Sequence, residues 1–373
     1  MKQQSKKKSV WSTFRNAYLR PYNLKKFWRK LDKKNLPEEL KKVFDLFVES
    51  NSYNWSSKFW RRLAINHLKV ISQKNFDSSL DVLSREYFTY INLRNDMIDE
   101  ACQTIENKNI DLKINLFKKQ NNFSYEDSLK HNIILYLLYE NIKDRDVYKN
   151  INKLEQINKR LQYDKPSLNV NGTNVSQDDL NSLFEFEKIK IILKKITNKS
   201  GNILEIGAGS GRTTQTMLSL SSEINKYVIA DIPPAINHSF KNIKNIFINK
   251  KIITAYEAKN TEELTNILNN FDIIFIFPHQ LEMINKKMFD ISIAIDCLHE
   301  MEERIVKKYI ENFEKLSHSM YFKVWENAGL PNSFYKSYSA LSRKDYFIKN
   351  EWEEILKEKC VFPSNYYQLG YKF

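Results

Sequence analysis

Three glycines at alternate positions constrain the fold of this chain more than any other feature of its sequence. The chain has seven glycines in 373 residues, and three of them are Gly207, Gly209 and Gly211. The segment before them, 202–206, predicts a short buried strand, and the residues from Arg212 onward predict a helix. The glycines therefore form a strand-to-helix turn, where a missing side chain lets the backbone approach a ligand closely.

Two common glycine-rich loops do not fit this turn. A phosphate-binding loop ends in Gly-Lys-Ser/Thr, and a dinucleotide fingerprint has a further glycine at the position that Arg212 occupies here. The pattern that remains is Glu-x-Gly-x-Gly-x-Gly, which begins at Glu205. It resembles the first motif of class I S-adenosylmethionine-dependent methyltransferases.

A carboxylate follows the next predicted strand. Residues 226–231 form a mainly apolar run that ends in Asp231, twenty residues after Gly211. A carboxylate at the end of a parallel strand can accept both hydroxyl hydrogens of a ribose. Alternatively, Asp231 could cap the helix that begins near Pro233-Pro234. The glycine turn upstream favours the ligand-binding interpretation.

The organisation of the chain predicts two domains. Residues 1–165 are expected to form a helical N-terminal domain, basic and aromatic-rich over 1–70, that covers the substrate. Its predicted helices include Glu38–Phe47, Phe59–Ile71, Ser79–Asn92 and Leu129–Tyr139. The helical pattern breaks between Asp164 and Gly172, which places the domain boundary there.

Residues 166–373 alternate strands and helices, as a doubly wound sheet requires. The fold class is therefore α/β, with a Rossmann-like, mostly parallel sheet and a final antiparallel strand after the helical domain. We interpret the extended run Lys251–Tyr256 as an insertion outside the sheet. The predicted strands are 202–206, 226–231, 272–277, 289–295, 320–325 and 365–373.

Positive charge is concentrated near the N-terminus. The formal net charge is +14, and residues 1–70 carry 18 Lys/Arg against 5 Asp/Glu and four of the six tryptophans. Residues 1–30 could lie on an anionic membrane surface, or could dock an aromatic face on the protein with the lysines in solvent. The charge total is weak evidence for nucleic acid. Three dispersed cysteines fit a reducing compartment, and we see neither a signal peptide nor a membrane span. We therefore expect a cytoplasmic location; peripheral contact at the inner face of the membrane applies only to the first of the two alternatives for residues 1–30.

Ligand contacts are expected beyond the carboxyl ends of the predicted strands. His279 and Gln280 follow strand 272–277, where they could flank an adenine ring or serve as plain turn residues. Asp296, His299 and Glu300 follow strand 289–295, where an acceptor group would meet a methyl donor.

Methyl transfer to a sugar hydroxyl requires a general base whose pKa lies near the working pH. His299 is the natural candidate because an imidazole titrates in that range, with Glu300 or Asp296 orienting or assisting it. His299 could instead cap the next helix, and Glu300 could be the base.

Residues 165–373 resemble a narrower group, the sugar O-methyltransferase family of bacterial surface-polysaccharide gene clusters. The segments that carry the resemblance are Val175–Leu183, Ile203–Gly211, Asp231–Pro234, Phe277–Leu281, Phe289-Asp290 and His299–Met301.

The resemblance implies a cytoplasmic enzyme that uses S-adenosylmethionine, releases S-adenosylhomocysteine and methylates a sugar of O-antigen, capsule or lipopolysaccharide. The acceptor would be a sugar, a nucleotide-sugar or a lipid-linked glycan. The turn would hold the methionine part, and Asp231 the ribose. The cofactor-binding residues would be Glu205, Gly207, Ala208, Gly209, Gly211, Asp231, Ile232, His279, Gln280 and Asp296.

Two other functional classes stay open. An RNA methyltransferase could use residues 1–70 as a backbone-binding arm, although nucleic acid is not the partner we expect. A non-catalytic nucleotide-binding or membrane-associated scaffold would bind the cofactor without turnover. A divalent metal is also left open, since one could acidify the hydroxyl, but no dedicated ligand spacing is visible.

Overall fold

The N-terminal half of the chain is helical in the computed structural model. The structure describes residues 23–73, 93, 95–120, 123–161, 165–197, 201–325 and 346–373. Within these ranges, no helix is long and apolar enough to cross a bilayer. The first six helices that the structure describes are α1 (Leu24–Lys30), α2 (Glu38–Glu49), α3 (Lys58–Gln73), α4 (Asn95–Asn107), α5 (Tyr125–Ile142) and α6 (Ile151–Leu161).

Three of the four named helices predicted for this region are confirmed as α2, α3 and α5, and Ser79–Asn92 lies outside the described residues. The periodicity of α2 shows why it forms: Leu40, Val43, Phe44 and Phe47 recur at helical spacing and are all buried. A 3₁₀ turn, Asn51–Trp55, joins α2 to the loop before α3.

A two-stranded hairpin follows, which the sequence interpretation described only as a break. Strand β1 (Ser167–Val170) pairs antiparallel with β2 (Thr173–Ser176). The connecting residues Asn171 and Gly172 have φ angles of 49° and 83°, as a tight two-residue hairpin turn requires. The predicted domain boundary at 165/166 falls just before this hairpin.

Helix α7 (Gln177–Ile196) begins directly after the hairpin. The Ser176 Oγ accepts the N–H of Asp179 at 3.2 Å, and the Ser176 N–H donates to the Asp179 carboxylate at 2.9 Å. This reciprocal pair satisfies two N–H groups that a helix start leaves unpaired.

The C-terminal half builds an eight-stranded sheet in the order β5-β6-β4-β3-β7-β8-β10-β9. Among the residues described here, four helices alternate with the strands: α8 (Arg212–Leu220), α9 (Ala235–Ile246), α10 (Thr261–Asn270) and α11 (Glu303–Leu316). The strands are β3 (Gly201–Ile206), β4 (Ile224–Ala230), β5 (Ile252–Thr254), β6 (Ile273–Ile276), β7 (Ile291–Ile295), β8 (Ser319–Trp325), β9 (Glu353–Lys359) and β10 (Tyr366–Lys372).

The six strands β3 to β8 all run parallel to one another, and β10 is antiparallel to both β8 and β9. The predicted fold class is confirmed: a Rossmann-like, mostly parallel sheet with a final antiparallel strand and a helical region before it. The interpretation of Lys251–Tyr256 as an insertion was wrong, because Ile252–Thr254 pairs with β6 at the sheet edge. Strand β9 was not predicted.

Both faces of the sheet are buried. Alternate residues of β3 reach opposite sides: Ile203 joins the core shared with α7, α8 and the N-terminal helices, and Leu204 joins the core shared with α10 and α11. A strand covered on both faces is largely apolar, which explains the continuous apolar run of β6 and the sequence of β7, where Ser292 is the single polar residue.

The connection between β3 and β7 fixes where a ligand can bind. After β3 the chain builds β4 and β6 on one side, and then returns to add β7 and β8 on the other. Such a reversal opens a crevice at the carboxyl ends of the two central strands. The glycine turn follows β3, and Asp296 follows β7.

Gly370 provides a test of the packing between α7 and β10. A Cβ built there would meet Ile192 and would also lie 3.2 Å from the Leu356 Cβ. We expect Gly370→Ala to lower the free energy of unfolding by about 1–3 kcal/mol, measured by urea unfolding. Adding Ile192→Val, which removes the Ile192 Cδ1 that the new methyl meets, should restore part of that loss. No recovery in the double variant would contradict this packing.

Candidate active site

The glycine turn brings the ends of β3 and β7 into close contact. Gly207 has a φ of 69°, and a Cβ built on it would lie 2.9 Å from the Cys297 Cβ. Only glycine fits such an approach without displacement. Gly211, with a φ of 83°, is the N-cap of α8. The turn therefore exposes backbone, rather than side chains, to the space in front of it.

Asp231 is held rigidly at the end of β4. Its Oδ1 accepts the N–H of Ile232 at 2.7 Å, and its Oδ2 accepts the N–H of Gly209 at 2.9 Å. Burial raises the pKa of the Asp231 carboxyl to about 7, although both N–H donors act in the opposite direction. Each carboxylate oxygen keeps further lone pairs for a hydroxyl hydrogen.

A pocket with about 440 Å³ of empty space, part of it open to solvent, lies in front of Gly207 and Asp231. The enclosed cavity volume is about 40 Å³, smaller than the roughly 300–1,000 Å³ of typical small-molecule sites. The lining is mostly apolar and comprises Trp55, Ser56, Ser57, Trp60, Ile206, Gly207, Gly209, Ala230, Asp231, Ile232, Ala235, Pro278, Cys297, Met301 and Tyr309.

The N-terminal region supplies one wall of this pocket, which sequence reasoning did not locate. Trp55 packs edge-on against Tyr309, with ring centroids 5.2 Å apart, and Ser52 Oγ lies 2.6 Å from His279 Nδ1. Trp55 and Trp60 belong to the tryptophan-rich N-terminal stretch, which was the one available signal. We call residues 52–60 the covering segment.

The structure brings four of the predicted cofactor residues to the pocket wall: Gly207, Gly209, Asp231 and Ile232. The Glu205 carboxylate lies deeper and accepts hydrogen bonds from Thr214 at 2.6 Å and Tyr227 at 2.7 Å. Burial raises its pKa against those two hydrogen bonds. Ala208 and Gly211 belong to the same turn but do not line the pocket.

Gln280 is fully buried and braces the loop after β6. Its Oε1 accepts the Phe277 N–H at 2.8 Å, and its Nε2 donates to the Ala255 carbonyl at 2.6 Å. Its neighbour Pro278 lines the pocket, whereas His279 contacts Ser52. Direct ligand contacts by Glu205, His279 and Gln280 stay predictions.

His299 lies in an aromatic environment. Its ring stacks on Trp325 with centroids 4.5 Å apart, and Tyr366 packs edge-on at 5.5 Å. Burial, and to a smaller extent the Lys323 ammonium, lowers the pKa of His299 to about 3. The expectation that this imidazole titrates near neutrality was wrong, because it is buried without a carboxylate partner among the described residues.

Glu300 shows the opposite shift. Burial and the charge of Asp296 raise the pKa of Glu300 to about 8, against a hydrogen bond from Trp60. Trp60 lines the pocket, so this contact connects Glu300 to the covering segment.

Four buried polar atoms at the ends of β7 and β8 have no hydrogen-bond partner within the described ranges: Asp296 Oδ1, His299 Nδ1, Glu300 Oε2 and Trp325 Nε1. Buried polar atoms are normally paired, so this cluster has the hydrogen-bonding capacity for a polar ligand. Over the described part of the chain, no group of three or more His, Cys, Asp or Glu side chains could hold a metal ion.

Neither a protein-family model nor a curated protein sequence matches the chain. Among solved structures, it matches the N-methyltransferase NodS from Bradyrhizobium japonicum in complex with S-adenosylhomocysteine, with 13% identity and a TM-score of 0.37, over 61% of this chain and 98% of NodS. It matches the pyocyanin biosynthetic protein PhzM with 11% identity and a TM-score of 0.32, and spans 63% of each chain. The methyltransferase domain of a bacterial CtHen1 matches at 12% identity with a TM-score of 0.34, over 51% of this chain and 97% of that domain. Likenesses this remote leave the function to be argued from the residues of this chain.

A pair of glycines tests the close approach at the turn. Gly207→Ala would combine a left-handed φ with the contact to Cys297, whereas Gly172→Ala would have a φ of 83° with nothing within 4 Å. Backbone strain should destabilise both variants by about 1–2 kcal/mol. Gly207→Ala should lose a further ~1–3 kcal/mol by urea unfolding, because its methyl group overpacks the site. Equal losses of stability in the two variants would show that backbone strain alone, and not the contact with Cys297, requires glycine at position 207.

Proposed function

We propose that this protein is an S-adenosylmethionine-dependent methyltransferase that acts on a hydroxyl group of a sugar. The observation that carries the proposal is the Asp231 carboxylate, fixed by two backbone N–H groups beside a glycine turn whose backbone lines a pocket. A nucleoside needs both features: a carboxylate for the ribose diol and bare backbone for close approach.

The residues present fit the cofactor. Gly207 and Gly209 leave room along the turn for the methionine part, Asp231 would hold the ribose, and Ile232 and Pro278 provide apolar surface for a base. When bound, the cofactor supplies a methyl group on a positively charged sulfur. The protein would align the acceptor oxygen and limit access of water, and the covering segment suits both tasks.

Glu300 is our candidate for the general base. Its Oε2 has no hydrogen-bond partner among the residues that the structure describes, and its pKa of about 8 lies near working pH, where a base transfers a proton efficiently. His299, with a pKa of about 3, would be a poor base at neutral pH. We assign His299 the supporting role of an aromatic surface stacked on Trp325.

A sugar is the acceptor we favour, and the unpaired atoms at the ends of β7 and β8 support it. Asp296 Oδ1 and Glu300 Oε2 can accept hydroxyl hydrogens, and Trp325 Nε1 can donate to a hydroxyl oxygen. The resemblance to sugar O-methyltransferases supports the same choice. On it we also propose a role in bacterial surface-polysaccharide synthesis in the cytoplasm, at or near the membrane.

Calorimetric titration of S-adenosylhomocysteine into wild type and Asp231→Ala tests the cofactor site. We expect micromolar binding by the wild type and at least tenfold weaker binding by the variant, a loss of about 1.4 kcal/mol. Asp290→Ala is the matched control. Asp290 also accepts a backbone N–H, from Asn202 at 2.7 Å, but it lies just before β7, at the amino ends of the strands and away from the pocket. It should bind like the wild type. No binding by the wild type would refute the proposal.

Salt dependence separates this function from RNA methylation. Cofactor-dependent mass increase should occur on a sugar, nucleotide-sugar or lipid-linked glycan in a screen of acceptors. An acceptor whose binding falls steeply with salt would instead indicate contacts to a phosphate backbone.

The pH dependence of turnover tests the base. With an acceptor from the screen, kcat should rise with pH through about 8, because only the ionised Glu300 can take a proton. Glu300→Gln should lower kcat by about 10²–10⁴-fold and abolish that rise. His299→Gln should cost less than about tenfold. A larger loss in the His299 variant than in the Glu300 variant would make the imidazole the base.

A further inference from the structure

Four charged side chains form a continuous chain between the glycine turn and Asp296, in which Glu185 and Lys323 are buried and Arg212 and Asp296 are partly exposed. Arg212 binds Glu185 through two nitrogens, with Nη1–Oε2 at 2.7 Å and Nη2–Oε1 at 3.2 Å. The Lys323 Nζ then lies 3.0 Å from Glu185 Oε1 and 3.4 Å from Asp296 Oδ2. We call Arg212, Glu185, Lys323 and Asp296 the buried charge chain.

Burial makes this arrangement costly. The side chains of Lys323 and Glu185 are 3% and 2% exposed, and removing such ions from water costs several kcal/mol each. Well-packed apolar residues would often stabilise a core as much or more. Two positive and two negative charges therefore point to a role other than stability.

Lys323 holds Asp296 at two points. Besides the ammonium contact, the Lys323 carbonyl accepts the Asp296 N–H at 3.1 Å. Asp296 has a φ of 56°, a left-handed conformation that is uncommon for a residue with a side chain and that clusters at functional sites. With Oδ2 facing Lys323, Oδ1 has no hydrogen-bond partner in the described part of the chain.

We propose that Lys323 is a positioning residue that keeps the Asp296 carboxylate ionised and fixed, so that its Oδ1 can accept a hydrogen bond from a second hydroxyl of the sugar, beside the one that Glu300 deprotonates. This inference rests on the proposed function. Through Glu185 and Arg212, the same chain ties Asp296 to the start of α8, directly after the glycine turn. The glycine turn, on the methyl-donor side, and Asp296, on the acceptor side, are thereby held at a fixed position relative to each other.

The charges around Asp296 come from several elements. Lys323 faces it from β8, Glu185 from α7, Arg212 from α8, and Tyr366 from β10; Glu300 and Cys297 lie on the same loop. Burial and the Glu185 carboxylate raise the pKa of Asp296, whereas the positive charges of Lys323 and Arg212 lower it. Removing a charge of either sign therefore gives a shift of known direction.

The test is a carboxyl ¹³C NMR titration of protein labelled at aspartate, with the Asp296 signal assigned through Asp296→Asn. Lys323→Met should raise the titration midpoint of Asp296 by about one pH unit or more, because an opposite charge is lost. Glu185→Gln should lower it, because a like charge is lost. Lys323→Arg keeps the charge and should stay within about half a pH unit of the wild type.

The pattern of opposite shifts distinguishes positioning from a purely structural role. An unchanged Asp296 midpoint in Lys323→Met that still binds S-adenosylhomocysteine would overturn the proposal. If Lys323→Met does not fold, the other two variants decide. The proposal is then overturned if Lys323→Arg retains the wild-type Asp296 midpoint but Glu185→Gln does not lower that midpoint. Absence of cofactor binding in the wild type would refute the methyltransferase function, while the titration would still report on Lys323.

Discussion

The close approach of Gly207 to Cys297 is the constraint on which the site depends. It allows β3 and β7, the two central strands, to end side by side, with the Cys297 side chain against the bare backbone of Gly207. The space so opened is bounded on one side by Asp231 and on the other by the loop that holds Asp296 and Glu300. A side chain at position 207 would push these two loops apart.

Local patterns in the sequence predicted the framework of the fold well. The glycine turn, the buried parallel strands and the closing strand near residues 365–373 could all be predicted, because they depend on patterns among residues that are neighbours in the sequence. The hairpin at Asn171-Gly172 also had a local signal, the Asn-Gly turn, which was overlooked. Strand β9 (Glu353–Lys359) had none, because its charged residues form a strand only by pairing with β10 at an edge.

Contacts between distant residues explain the rest. The residues adjacent to His299 in the sequence do not indicate that its ring stacks on Trp325 or that its pKa is lowered. Likewise, the residues adjacent to Lys323 do not indicate its contact with Glu185, 138 residues away. A pKa depends on burial and on charges from other elements. The sequence could therefore indicate which loop carries the chemistry, but not which of its side chains is suited to each task.

The position of the covering segment also has a consequence for how the protein is made. Residues 52–60 leave the ribosome long before Gly207 and Asp231, yet they form one wall of a pocket that those later residues complete. The tryptophans of this wall must therefore remain without their final partners while more than a hundred further residues are synthesised. A ligand that fills the pocket would join the covering segment to the sheet and stabilise both by mass action. The small molecule would then act as the final component of folding as well as a reactant.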